Sequence, residues 1–366
     1  MITRLVIENY KSIKSVDIEL NSINILIGSN GAGKSNFISF FKLLNSITRK
    51  RLQYFVDEES GANNILFHGL KESDHIYSRI ELKNKDDSTY YKFTLNPNTD
   101  EGLFFSEEYL GYRDDKNYKK YYDYSVNLAH GLESNLDKNE EMTKRVRSII
   151  RNRLNKYKVY HFQDTSRTAK VKQSFNIFDN ETLYDDARNL ASFLYKLKET
   201  NMISLKKIEK TIQLIAPYFD SFILKPDFKN NEQIKLFWRE KNSDMLFNAS
   251  HLSDGTLRMI CLITLFLQPS PPETIILDEP ELGLHPFALT ILSDLIKSIS
   301  KKGVQVIIST QSIPLVDKFE LNDIIVVEKN GKASTFNRLN IDDFENWINE
   351  YSIGELWEKN LLGGRP

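Results

Sequence analysis

Eight residues near the start of the chain carry the clearest chemistry. Gly28-Ser-Asn-Gly-Ala-Gly33-Lys34-Ser35 is a phosphate-binding loop pattern complete in every position. Its glycines let successive backbone N–H groups turn inward around phosphate oxygens, and the helix that follows adds the positive end of its dipole. Lys34 is expected to reach the β- and γ-phosphates of a nucleoside triphosphate, and the Ser35 hydroxyl to ligate Mg²⁺. A chance glycine-rich turn would not be preceded by an apolar strand and followed by Lys-Ser and an apolar helix, all in register. Far downstream, Thr274-Ile-Ile-Leu-Asp278-Glu279-Pro280 is an apolar run that ends in two carboxylates. Asp278 suits the Mg²⁺ shell, and Glu279, one residue on, suits the group that orients and polarises an attacking water. On its own the pair could equally be ordinary acids at a strand end.

A third feature lies between them. Leu252-Ser253-Asp254-Gly255-Thr256 opens an apolar helical pattern. A Ser–Gly turn at a helix N-terminus is a second anion site, although a plain Ser N-cap would look the same. With the loop at Gly28–Ser35 already holding one side of the nucleotide, the second site fits a lid supplied by a neighbouring copy.

These residues resemble the ATP-binding-cassette ATPases, in the SMC, RecF and OLD branch rather than the transporters. Ile7-Glu-Asn-Tyr-Lys-Ser-Ile13 is similar to that branch's first strand and turn, and Gly33-Lys-Ser-Asn36 to its loop ending. Leu252–Arg258 resembles its signature, and Asp278-Glu-Pro-Glu-Leu-Gly-Leu-His-Pro286 its Walker B and D-loop. Leu356-Trp and Leu361-Leu-Gly-Gly364 resemble compact bacterial ATPases of the same group. The likeness covers about the first 60 residues and everything after 155.

The resemblance implies ATP and Mg²⁺ held by Gly28, Asn30, Gly31, Gly33, Lys34, Ser35 and Asn36. It implies a homodimer in which Ser253 and Gly255 contact the γ-phosphate bound by the other copy, with Leu282–His285 crossing the interface. Gln163 is the candidate for the glutamine that senses Mg²⁺ and the γ-phosphate, with His161 and Asp164 as alternatives. Lys11 and Ser12 either approach the nucleotide or form a strand-edge turn. Where transporter relatives carry a switch histidine, Ser309-Thr-Gln311-Ser312 offers Gln311. Glutamine can hydrogen-bond a phosphate or water but never becomes a cation. Slow hydrolysis is therefore expected.

The elements that must position these groups follow from the apolar pattern. Leu5–Ile7 with its continuation through Val16–Leu20 reads as one β-run, and Ile23–Ile27 as a buried strand before the loop. Residues 76–124 alternate as antiparallel hairpins, 113–143 read as a polar loop, and the basic stretch up to Lys158 as a helix. After Thr274, strands and helices alternate as in a largely parallel sheet covered by helices. The expected fold is an α/β P-loop NTPase of the ABC-type ATPase-head kind with a β-hairpin and helical insertion. Residues 1–75 would form the N-terminal part of the ATPase lobe and 76–155 the insertion. Residues 156–366 would form a helical lobe and the C-terminal part of the ATPase lobe.

Composition sets the remaining bounds. The 366 residues carry 49 Lys and Arg against 50 Asp and Glu, so any basic surface is local. Lys144 to Lys172 is such a place, with ten basic residues against the single acid Asp164. It suits a phosphate-tracking surface for DNA or RNA, or else a solvated helix face. The lone cysteine, Cys261, lies in an apolar run and reads as a buried hydrophobe. A secretory leader and an apolar run of roughly 18 residues are both missing, which makes the cytoplasm the expected compartment.

Three rivals are weaker. A transporter ATPase would place its signature nearer the loop than the 219 positions separating Lys34 from Ser253. An SMC-like tether needs long heptads. An OLD-type nuclease needs a further metal-binding domain. Family analogy points to DNA repair or anti-phage defence beside a separately encoded nuclease or other effector, with a non-enzymatic ATP-sensing scaffold as the alternative.

Overall fold

The structure is a computed structural model that describes residues 1–83, 87–114, 124–128, 130–137, 144–344, 346–347 and 350–365. Most of the polar stretch 113–143 lies outside the described residues. The chain divides into two compact units. One comprises Met1–Val159, Glu273–Ile276 and Gln305–Pro366, and the other Tyr160–Pro272 and Leu277–Val304.

The first unit holds two sheets. One is antiparallel, in the order Ile13–Glu19, Ile2–Tyr10, Ile76–Lys83, Asp87–Pro97, Leu103–Asp114, Tyr124–Asn127. The single β-run expected over Leu5–Leu20 is in fact a hairpin, with Leu5 opposite Ile18 and Tyr10 opposite Ile13. Its turn is made by Lys11, at φ 49°, and Ser12. The hairpins expected over 76–124 extend this hairpin into one sheet, Ile7 pairing with Ser78.

The other sheet runs Ala333–Arg338, Ile324–Asn330, Ile23–Ile27, Gln305–Ser309, Thr274–Asp278, Tyr157–Tyr160. Ile23–Ile27 is buried along its whole length and pairs in parallel on both sides, Ile25 with Ile308 and with Ile324. A continuous apolar run is what a strand covered on both faces requires. The helix that follows, Lys34–Thr48, buries Phe37, Phe40, Phe41, Leu44 and Ile47. Phe37 packs on Phe336 at 5.2 Å and Phe40 meets Tyr10 edge-on at 5.5 Å between ring centroids. The loop therefore sits between a rigid strand and a helix anchored by its aromatic face.

The chain leaves the first unit at the ends of Tyr157–Tyr160 and Thr274–Asp278. The second unit contains helices Leu190–Thr200, Met202–Ile215, Asp254–Leu267 and Pro286–Ser300. It also has a three-stranded antiparallel sheet, Phe219–Ile223, Phe237–Glu240 and Leu246–Asn248, which the sequence pattern did not reveal. Its strands are too short for alternation to show. Trp238 holds this sheet, stacked on Phe247 at 5.0 Å and on Phe219 at 6.0 Å.

Candidate functional site

In the first unit, Gly28, Gly31 and Gly33 all have positive φ, at 151°, 76° and 117°. Two of them cannot be anything else. A Cβ on Gly28 would stand 2.1 Å from the Val327 carbonyl oxygen, and one on Gly33 would stand 2.1 Å from Ser334 Oγ and 2.9 Å from Ser12 Oγ. Gly31 faces open space. Gly33 is also the N-cap of helix Lys34–Thr48 and has no side chain to satisfy the first-turn N–H groups. A helix start led by glycine is open to the close approach of a phosphate. Lys34 is 4% exposed, and its Nζ donates to the carbonyls of Gly28 at 2.6 Å and Ser29 at 3.1 Å. The ammonium is thus curled inside its own loop, where phosphate oxygens would replace those carbonyls. This geometry fits a nucleoside triphosphate.

Three further contacts brace the loop. Gln311 Nε2 donates to Asn30 Oδ1 at 2.6 Å. Asn36 Nδ2 donates to Ser12 Oγ at 2.7 Å, and Ser334 Oγ donates to the same Ser12 oxygen at 2.7 Å. Ser12 is therefore the turn residue behind Gly33, and Lys11 pairs with Glu59 at 2.9 Å. Ser334 had no signal in the sequence, because a hydroxyl 322 positions from its partner belongs to no local pattern.

In the second unit, Gln163, Arg258, Asp278 and Glu279 line one small crevice. Glu279 sits at φ 45°, a left-handed conformation that costs a non-glycine residue on the order of 1–3 kcal/mol. Gln163 Nε2 donates to the Asp278 carbonyl at 3.1 Å. Arg258, on the first turns of helix Asp254–Leu267, donates from Nε to the Phe162 carbonyl and from Nη2 to the Gln163 carbonyl, each at 3.0 Å. Burial pulls its guanidinium below the ordinary arginine value. This residue ties the signature helix to the Gln163 segment and has no counterpart among the sequence-based candidates. Its partners are backbone carbonyls 96 and 95 positions away.

Ser253 is exposed and is the N-cap of that helix, its Oγ accepting from the Thr256 N–H at 3.2 Å. Gly255 lies against Gly283, whose carbonyl oxygen would stand 2.4 Å from a Cβ at 255. Leu282 and Phe287 are exposed on either side of Leu284–His285. His285 caps helix Pro286–Ser300, its Nδ1 accepting from the Phe287 N–H at 3.3 Å. Cys261 is buried, and burial pushes its thiol up to about 12, as an inert small hydrophobe should behave.

Several of the ten basic residues between Lys144 and Lys172 have internal partners. In the first unit Arg147 donates to the Asn135 carbonyl, Arg153 pairs with Asp87, and Lys156 pairs with Glu273. In the second, Lys172 is buried against the Thr165 carbonyl and lies 3.6 Å from Asp254. Among the described residues, no helix is long and apolar enough to cross a membrane.

Comparison with known proteins bears on the family and the fold. A family model described as "AAA domain, putative AbiEii toxin, Type IV TA system" matches residues 23–317. The energy-coupling factor transporter ATP-binding protein EcfA of Methanocaldococcus jannaschii is 34% identical over 82 residues, which are 22% of this chain and 28% of that relative. The chain thus spans well under half of that transporter ATPase. Among solved structures, the Smc head bound to the C-winged helix domain of ScpA superposes with TM-score 0.62 at 15% identity, covering 94% of this chain and 99% of that one. The Smc head domain from Pyrococcus furiosus, with an extended coiled coil and bound to the C-terminal domain of ScpA, gives 0.60 at 14% identity, covering 95% and 98%. The overall fold is that of an SMC-type ATPase head. With its glycine loop, its acidic pair and a family match across most of its length, the chain belongs to the AAA-domain family of putative AbiEii type, an ABC-type P-loop ATPase.

Proposed function

We propose that this protein binds ATP with Mg²⁺ at Gly28–Asn36 and hydrolyses it slowly in a dimer of two copies. Lys34 would hold the β- and γ-phosphates, and Ser35, Asp278 and Gln163 are the residues that would hold Mg²⁺. Mg²⁺ supplies charge neutralisation on the transferred phosphoryl group. Glu279 takes the proton of the attacking water. Ser253 and Gly255 close over the γ-phosphate held by the other copy. The observation that carries this reading is an exposed helix start, Ser253, together with an exposed Leu282 in the D-loop and an exposed Phe287 on the helix that follows it. An anion-binding helix end and exposed apolar residues on one chain suit a second copy better than open water.

Closure of such a dimer would work in the cytoplasm on DNA or on a separately encoded effector such as a nuclease, in DNA repair or anti-phage defence. The internal pairing of Arg147, Arg153, Lys156 and Lys172 favours the effector over direct DNA contact by the 144–172 stretch. Glu279→Gln tests the reading. It keeps the shape of the side chain and removes the base, so ATP with Mg²⁺ should hold a species of twice the monomer mass in sizing chromatography. A variant that stays monomeric with ATP, or that turns ATP over at the wild-type rate, contradicts it.

A further inference from the structure

The segment after the last strand of the first unit is tied to the back of the phosphate-binding loop. Ser352 caps helix Ile353–Glu358 in a reciprocal pair with Glu355, at 3.2 and 2.8 Å. The Gly354 N–H donates to Asp317 Oδ1 at 2.6 Å, and a Cβ at 354 would stand 2.6 Å from that oxygen and from Ile313 Cγ2. The helix is therefore pressed onto Ile313–Val316, which begins two residues after Gln311. Trp357 is fully buried, and its Nε1 donates to the Gly364 carbonyl at 2.6 Å. The Gly364 N–H donates in turn to Glu328 Oε1 at 2.8 Å.

Gly363 and Gly364 have φ of 79° and 60°, so the chain turns here in a way that side-chain-bearing residues resist. A Cβ on Gly364 would stand 2.7 Å from Val326 Cγ1 and 3.4 Å from both Gly28 Cα and the Val327 carbonyl oxygen. The same Val327 oxygen is the atom that forbids a side chain at Gly28. The first glycine of the loop is thus packed against the Gly363-Gly364 turn, with the Val327 carbonyl between them. The segment bears on the loop at two places. Gly364 backs Gly28, and Gly354 holds the turn after Gln311, whose side chain holds Asn30.

We propose that Gly354–Gly364 is a positioning clamp for the phosphate-binding loop, with Trp357 and Gly364 as the positioning residues that set nucleotide affinity. This rests on the ATP-binding reading above. A loop that binds phosphate through backbone N–H groups binds only in the conformation that aims them. Its apparent affinity falls in proportion to the fraction of molecules holding that conformation. Loosening the Gly364 turn behind Gly28 lowers that fraction without replacing any residue that meets the nucleotide.

The test is calorimetric binding of ATP with Mg²⁺ to the full chain, with circular dichroism as the check on folding. Trp357→Phe keeps a buried ring and removes the donor to Gly364. It should weaken ATP binding about five- to tenfold, the lower range of coupling between sites, and Gly364→Ala should do the same or more. At saturating ATP, turnover by Trp357→Phe should stay within about twofold of wild type, because only binding is affected. A folded Trp357→Phe variant with wild-type affinity overturns the clamp. If that variant does not fold, wild-type hydrogen exchange decides. Linkage is reciprocal, so ATP must slow exchange at the amides of Leu361 to Gly364, and unchanged exchange overturns the proposal. Failure of the wild type to bind ATP at all would overturn the ATP reading and the clamp together.

Discussion

Gln311 shows what one side chain can and cannot do at this site. Its Nε2 holds Asn30 of the loop at 2.6 Å, a contact that an imidazole could also make. The difference is charge, since the amide has no titration in the working range and an imidazole does. Gln311→His should therefore give ATP turnover a new pH-dependent limb near pH 6.5, measured as kcat against pH in parallel with wild type. Superimposable profiles would show that position 311 does not face the reacting phosphate. The loop itself was legible in the sequence because its backbone conformations demand glycine at Gly28 and Gly33 and its chemistry demands Lys34. Its supports were legible only in part. Ser12 stood out as a residue near the nucleotide or in a strand-edge turn, but its hydroxyl partner behind Gly33, Ser334, is marked by neither residue type nor spacing.

Among the elements, helix Asp254–Leu267 does the most connecting. Its start carries Ser253 and Gly255, and its Arg258 grips the carbonyls of Phe162 and Gln163. Its Gly255 lets Gly283 approach closely. The sequence pattern showed the helix start and the D-loop but not their physical link, because a backbone carbonyl leaves no trace in residue type. Arg258→Met keeps the aliphatic stem and removes the donors. Two partly buried carbonyls then lose a partner, at about 1–3 kcal/mol each if nothing replaces it. Turnover at saturating ATP should fall roughly tenfold, the effect of about 1.4 kcal/mol in the barrier, because the Gln163 segment loses its anchor, and ATP affinity should fall less, because Lys34 and the glycine loop make none of these contacts. Steady-state kinetics and calorimetry on the same preparation separate the two. Wild-type kcat in this variant would reduce Arg258 to a packing role.

At the scale of the whole molecule, the sequence ends of the ATPase fold were readable and the parts between them less so. Ile23–Ile27 and Thr274–Asp278 announce themselves as apolar runs beside chemical motifs. The hairpin at Lys11-Ser12 was hidden by a turn without glycine, and the short strands around Trp238 by their length. The dimer is the claim on which the function rests, and complementation tests it most directly. Lys34→Ala empties its own nucleotide pocket. Ser253→Arg leaves that pocket intact and spoils the lid offered to the partner. Each alone should be nearly inactive. Ser253 is also a helix cap, and loss of a cap costs only about 1 kcal/mol, so both variants should remain folded. Mixed, they form a heterodimer in which the Lys34→Ala copy supplies an intact Ser253 to the intact loop of the other. The measurement is ATPase activity of the mixture, alongside a linked dimer with one wild-type composite site to show that a single site suffices. Partial recovery of activity on mixing is the predicted result. An active linked dimer and demonstrated subunit exchange, with no recovery in the mixture, would contradict the composite site and leave Ser253 as a helix cap alone.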